Sequence, residues 1–213
     1  MKPPKPSRKL NRYTTLPVLL DLLTRKKLVL LDPNRWEDRS DAELIIEYKK
    51  IEHISKLFAI CFCIGNETIH AWKAYAEGIS GCCIQFDENK LIESLDGNRQ
   101  IRYHDVMYCK TKKIYSNNIK LMPFIKRWPY RIEREFRILW EGDIQENRTE
   151  IEINLDSISR ITVSQDMPTS IKSLIREICY TNPTIQVNSS TIFRNVKFIE
   201  TVKKSISEST ARR

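Results

Sequence analysis

Tyr130-Arg-Ile-Glu133-Arg-Glu135-Phe-Arg137-Ile-Leu-Trp140 alternates charged and apolar residues from Glu133 onward. Successive side chains of a strand point to opposite faces. Phe136, Ile138 and Trp140 therefore share an apolar face, and Glu133, Glu135 and Arg137 share the other. The pattern predicts a strand over 134–140 with one face in a core. If the charged face is also buried, its charges must be paired to offset desolvation. Two close carboxylates push each other's pKa values apart, which suits acid–base or cation-stabilising chemistry. A ladder of ion pairs across strands gives the same pattern without chemistry.

Outward from that strand, Leu57–Ile64 is a continuous apolar run and Gly81–Phe86 another, both read as central strands. Short strands are expected at 28–31, 101–109, 149–154, 160–163 and 185–187. Helices are expected over 16–27, 40–52, 68–78, 87–95 and 168–180. Thr15 and Ser40 read as caps, since a hydroxyl can accept from the first free helical amides, and Thr68 begins its helix. Strands and helices mix without a regular βαβ rhythm. The fold class is therefore α+β, a mixed, mostly antiparallel central sheet with helices packed around it.

The chain has 213 residues and a formal net charge of +9. Its length predicts one domain. Residues 1–10, rich in Pro and Lys, are expected to be a flexible basic arm, 11–202 a single α+β domain, and 203–213 a flexible tail. Such a positive excess attracts polyanions at long range. Nucleic acid or a nucleotide is the expected partner class, a protein partner is a second possibility, and no membrane partner is expected. Lys110–Arg127 is a basic stretch, with Lys110, Lys112, Lys113, Lys120, Lys126 and Arg127. The six cysteines form no C-x-x-C pair and sit in apolar runs, as small reduced core residues do. With no secretory signal and no apolar run long enough to span a bilayer, a reducing cytoplasmic setting is expected.

No glycine-rich phosphate loop and no metal-binding or serine-nucleophile motif occurs. No metal is expected. Two further constellations stand out. Arg12-Tyr13 lies at the first strand, where an arginine beside a helix start suits phosphate binding. Trp72 and Tyr75 stand three apart on one helical face, either as a core pair or as a pocket wall that stacks on a base or nicotinamide ring.

Taken in order, several short motifs resemble one family. They are Arg12-Tyr13-x-x-Leu16, Trp36-x-Asp38-x-x-Asp41, Cys61-Phe62, Trp72-x-x-Tyr75-Ala76-x-Gly78, Gly81-x-Cys83-Ile84-x-Phe86, Val106-x-Tyr108, Pro123-Phe124-x-Lys126 and Tyr130-x-x-Glu133-x-Glu135-x-Arg137. The chain is similar, over about residues 10–165, to the bacterial domain-of-unknown-function family 2971. The order of elements also resembles the ADP-ribosyltransferase superfamily. That resemblance implies NAD as the substrate-cofactor, held by Arg12, Tyr13, Trp72 and Tyr75. It implies Glu135 as the catalytic carboxylate, with Arg137 orienting it. Glu133, Lys126 and Arg127 would meet the acceptor. The implied activity is NAD-dependent modification of nucleic acid or protein, as in a toxin or anti-phage defence effector.

Two readings compete with it. One is a non-catalytic nucleic-acid- or protein-binding module using Lys110–Arg127. The other is a metal-dependent nuclease using Asp38, Glu133 and Glu135, for which no compact metal motif speaks.

Overall fold

A computed structural model describes residues 7–76, 78–111, 118–144 and 148–210. Expectations for residues 1–6, for Lys112 and Lys113, and for 211–213 lie outside these.

In chain order the elements are strand β1 (Lys9–Thr15), helix α1 (Leu16–Arg25), β2 (Lys27–Leu31), α2 (Arg39–Ile51), β3 (Lys56–Ile64), α3 (Ile69–Tyr75), β4 (Gly81–Asp87), α4 (Glu88–Glu93), β5 (Ile101–Asp105) and β6 (Met107–Cys109). Strands β7 (Ile125–Arg127), β8 (Glu135–Gly142), β9 (Arg148–Glu152) and β10 (Ile158–Val163) follow, then α5 (Thr169–Ile178), β11 (Gln186–Ser189) and α6 (Val196–Thr210). Nine strands form one sheet in the order β11-β10-β4-β1-β3-β2-β9, with β8 on β3 and β5 on β8. Every pair in it is antiparallel except β10–β11. Strands β6 and β7 form a separate parallel pair. The α+β expectation therefore holds.

The alternation expected in β8 is present. Phe136, Ile138 and Trp140 join Phe58, Ile60 and Phe62 of β3 and Phe86 of β4 in the main core. Helices α1, α4 and α5 cover that face with Leu19, Leu22, Leu91 and Ile175. On the opposite face, α2 lays Ile45 and Tyr48 on Leu57, Ala59 and Leu139. Helix α3 lays Ala71 and Trp72 against Tyr13 and Cys83. A strip of this second face remains between the two helices, and Cys61, Glu135 and Arg137 lie on it, by strand alternation with Ala59, Cys63 and Leu139.

Several details differ from the expectations. Thr15 makes no side-chain cap bond, and Pro17 in the first turn starts α1 instead. Helix α2 is capped by Asp38, which accepts from the amide of Ser40, rather than by Ser40. Thr68, expected as the start of a helix, caps α3 by accepting from the Ala71 amide. The run 101–109 breaks at Val106 into β5 and β6, which belong to different sheets. Strand β1 begins at Lys9, inside the expected arm, and Arg8 pairs with Glu88 and Asp105. Residues 203–210, expected as tail, are helical in α6.

The sheet forks beside the strip. Strand β1 pairs with β4 along its full length, from Lys9↔Asp87 to Thr15↔Gly81. With β3 it pairs only at Leu10↔Ile64 and Asn11↔Cys63. Strand β2 next meets β3 at Ala59. Around Cys61 this edge of β3 therefore has no strand partner among the described residues, while the other edge pairs with β8.

Candidate active site

An unpaired backbone carbonyl inside a fold needs a donor. At the fork, the guanidinium of Arg12 supplies it, donating to the Cys61 carbonyl at 3.3 Å. Among the described residues Arg12 has no carboxylate within ion-pair distance, yet its side chain is half-buried. Burial lowers its pKa, and the nearby Cys61, Cys63, Tyr75 and Glu135 favour its charge. A guanidinium so placed has donors left for an anion.

Glu135 and Arg137 face the strip. Arg137 is fully buried (0% exposed) and uses all three of its nitrogens. Its Nε donates to Glu135 Oε1 at 2.7 Å. Its terminal nitrogens donate to Asp41 Oδ1 and Oδ2 at 3.0 and 2.7 Å, and Nη1 also donates to the Pro123 carbonyl at 2.6 Å. The Trp36 ring lies 4.6 Å from the guanidinium carbon. Lys126, brought in by β7, places Nζ 2.6 Å from Glu133, 3.2 Å from Glu135 and 3.6 Å from Asp41. Three carboxylates thus share two cations, with Arg12 across the fork.

The protonation states follow from burial set against these charges. Burial pushes Glu135 up, but Arg137 and Lys126 outweigh it and hold the carboxyl at about 2. Burial opposes the Lys126 charge, and Glu135 and Glu133 more than restore it. Asp41 is raised, because burial outweighs the pull of Arg137. Burial also raises the Cys61 thiol, which hydrogen-bonds to Glu135. The site therefore holds an ionised Glu135 beside a neutral thiol, with the Glu135 amide donating to Tyr108 Oη at 2.8 Å.

Glu133 does not arrive by strand alternation. Residues Trp128–Glu133 form a 3₁₀ helix, and Arg134, with φ of 46°, turns the chain into β8. From that helix Glu133 accepts from Lys126 and from Tyr75 Oη at 3.0 Å. Tyr75 is 46% exposed. It marks where the cluster reaches solvent, in a narrow cleft of about 20 Å³ lined by Cys63, Thr68, Tyr75, Ile132 and Glu133.

Of the residues singled out in the sequence, Glu135, Arg137, Glu133, Lys126, Tyr75 and Arg12 converge here. Tyr13 and Trp72 do not. They meet edge to face at 5.8 Å, buried between α3 and the sheet. Tyr13 Oη accepts from the Thr68 amide, and Trp72 Nε1 donates to Glu67 at 2.9 Å. Tyr13 and Trp72, expected among the NAD-holding residues, are packed here, the indole and phenol holding α3 on β1 and β4. Arg127 shares the Tyr130 ring with Lys126 but pairs with Asp38 at 3.3 Å, outside the Glu133–Glu135–Asp41 cluster.

Asp41, Trp36, Tyr108 and Cys61 also belong to the cluster, beyond the site residues that the sequence points to. Asp41 carried a readable signal. It sits on the same face of α2 as Ala42, Ile45 and Tyr48, and a carboxylate on an apolar stripe needs a buried partner.

Residues 71–138 match the family model described as Protein of unknown function (DUF2971). The matched segment runs from α3 into β8. It takes in Tyr75, Tyr108, Lys126, Glu133, Glu135 and Arg137 and leaves out Arg12 and Asp41. No curated protein matches the chain. Among solved structures, the chain is similar to Thermus sp. 2.9 DarT in complex with ADP-ribosylated ssDNA, at 11% identity and a TM-score of 0.45, over 88% of this chain and 95% of that one. It is also similar to Thermus sp. 2.9 DarT in complex with NAD+, at 9% identity and a TM-score of 0.45, over 88% and 96%. Among the described residues, no helix is long and apolar enough to cross a membrane.

Proposed function

We propose that the fork between β1 and β3 binds NAD and that the chain is an ADP-ribosyltransferase-like enzyme. The observation that carries this is an ionised, immobilised Glu135 near Arg12, a half-buried cation whose hydrogen bond, among the described residues, goes to a backbone carbonyl. The residues suit the substrate. Arg12 has donors for a pyrophosphate oxygen. Glu135 supplies negative charge where a positive centre develops at the ribose anomeric carbon, as the carbon–nitrogen bond to nicotinamide breaks and its electron pair leaves with the base. Arg137 and Lys126 fix that carboxylate in advance, so no reorganisation is needed during reaction. The acceptor then forms the new bond to the same carbon and gives up a proton. Glu133, at the solvent-facing end of the cluster beside Tyr75, is the base within reach of the cleft. A toxin or defence role is the biological setting this reading suggests.

One observation favours a second reading. Glu135 is only 5% exposed, and both its oxygens already accept from Arg137 and Lys126. A purely structural cluster has that form too, and the chain would then be a binding module. Calorimetric titration with NAD separates the two. The enzyme reading expects saturable binding that Arg12→Gln weakens by about 10- to 100-fold, the loss of a charge-assisted hydrogen bond. Absence of NAD binding by the wild type favours the binding module.

A further inference from the structure

A 3₁₀ helix has three residues per turn, so side chains three apart stand in line. In Trp128–Glu133 this makes one ridge of Tyr130 and Glu133 and another of Trp128 and Arg131. The first ridge faces inward. Lys126 Nζ lies 4.9 Å from the Tyr130 ring centre and 2.6 Å from Glu133. The second faces out. The Trp128 indole is 42% exposed, and the Arg131 guanidinium lies 4.9 Å from its centre. Lys110, just after β6, brings its ammonium to 5.5 Å from the same ring. Arg134, also exposed, turns the chain instead, and its guanidinium lies beside Gly65 at the cleft.

This surface is cationic without compensation. Among the described residues, ion pairs take up Arg8, Arg25, Lys120 and Arg127, but Lys110 and Arg131 have none. Exposed cations around an exposed indole call for a partner with both negative charge and a flat π-surface. A single-stranded nucleic acid has both, whereas a duplex hides its base faces and an acidic peptide lacks them. Bases stack on arginine planes as well as on aromatic rings, so the Trp128–Arg131 pair can be extended by a base.

We propose that Trp128, Arg131 and Lys110 form a binding surface for single-stranded nucleic acid, with a base on the Trp128–Arg131 stack and a phosphate on Lys110. The same short helix carries Glu133 on its inward ridge, so a strand held there lies beside the candidate active site. Its role as acceptor rests on the NAD reading above. Its binding does not.

The test is fluorescence anisotropy of labelled single-stranded DNA and RNA oligonucleotides of mixed sequence, without NAD, across a salt series. Binding is expected, with affinity falling linearly in log–log form against salt. Trp128→Ala should weaken it by about 5- to 150-fold. Arg131→Ala should weaken it and reduce the salt slope by about one. Equal melting temperatures for both variants and the wild type show that the fold is intact. Retained affinity in Trp128→Ala, or equal binding of a polyglutamate peptide, overturns the proposal and makes the patch a general electrostatic or protein-binding surface. Nicotinamide release measured without oligonucleotide reads the NAD proposal separately. Trp128-dependent binding without release leaves this inference standing alone, and release without binding does the reverse.

Discussion

Arg137 donates through Nε to Glu135 and through both terminal nitrogens to Asp41, so one guanidinium ties strand β8 to helix α2. The contact is buried at every atom and joins parts of the chain 96 residues apart. It fixes the candidate catalytic carboxylate from behind and leaves the fork side to Arg12.

Removing the centre of that contact should be costly. Arg137→Met leaves Asp41 and Glu135 buried with only Lys126 to pair them. Breaking a buried pair from one side typically costs about 3–5 kcal/mol. Chemical denaturation should show a loss of that size. Arg137→Lys should recover little of it, since an ammonium cannot span Asp41 bidentately. A loss below about 1 kcal/mol would show that the cluster is not coupled to folding.

Acid should weaken the fold through Glu135. Its folded pKa, about 2, lies below the ordinary 4.5, so its contribution is present above pH 4.5 and is lost as pH falls from 4.5 towards 2. Asp41 acts in the opposite sense. Its raised pKa means that the folded state takes up that proton first, which offsets part of the loss. Denaturation midpoints measured over this range should fall in the wild type. In Glu135→Gln they should fall less steeply.

Trp72→Ala separates packing from ligand contact. The indole is buried against Tyr13, and emptying such a site costs about 3–5 kcal/mol. A matching drop in stability by denaturation is expected. Unchanged stability together with lost NAD affinity would restore the stacking role.

Gly81→Ala probes how tightly α3 sits on β4. A Cβ at Gly81 would lie 1.9 Å from the Ala76 carbonyl oxygen, which is backbone and cannot swing aside. Overpacking of this kind costs about 1–3 kcal/mol. A lowered melting temperature is expected, with Tyr75 displaced because α3 ends there.

The legible parts of the sequence were those with a period. Phe136, Ile138 and Trp140 alternate with Glu135 and Arg137, and that pattern survives folding because both faces of β8 are buried for different reasons. Glu133 reaches the same cluster from a 3₁₀ turn, which strand periodicity cannot foresee. Trp72 and Tyr75 share a helical spacing yet part company, since α3 is only seven residues long and Tyr75 lies at its end, where the side chain reaches the cleft. Asp41 was legible in kind, as a charge on an apolar stripe, but its partner 96 residues away was not. The fork at Cys61 depends on where three strands stop pairing, and no local pattern encodes that.

The central claim is that Glu135 acts on NAD, and nicotinamide release tests it most directly. Purified wild type and Glu135→Gln, matched for folding by circular dichroism, are incubated with NAD and a nucleic-acid and protein extract as acceptor source. Release by the wild type, falling by about 100-fold or more in Glu135→Gln, is the predicted result. No release from either protein, or equal release from both, would contradict it and leave Glu135 as a structural member of the buried cluster.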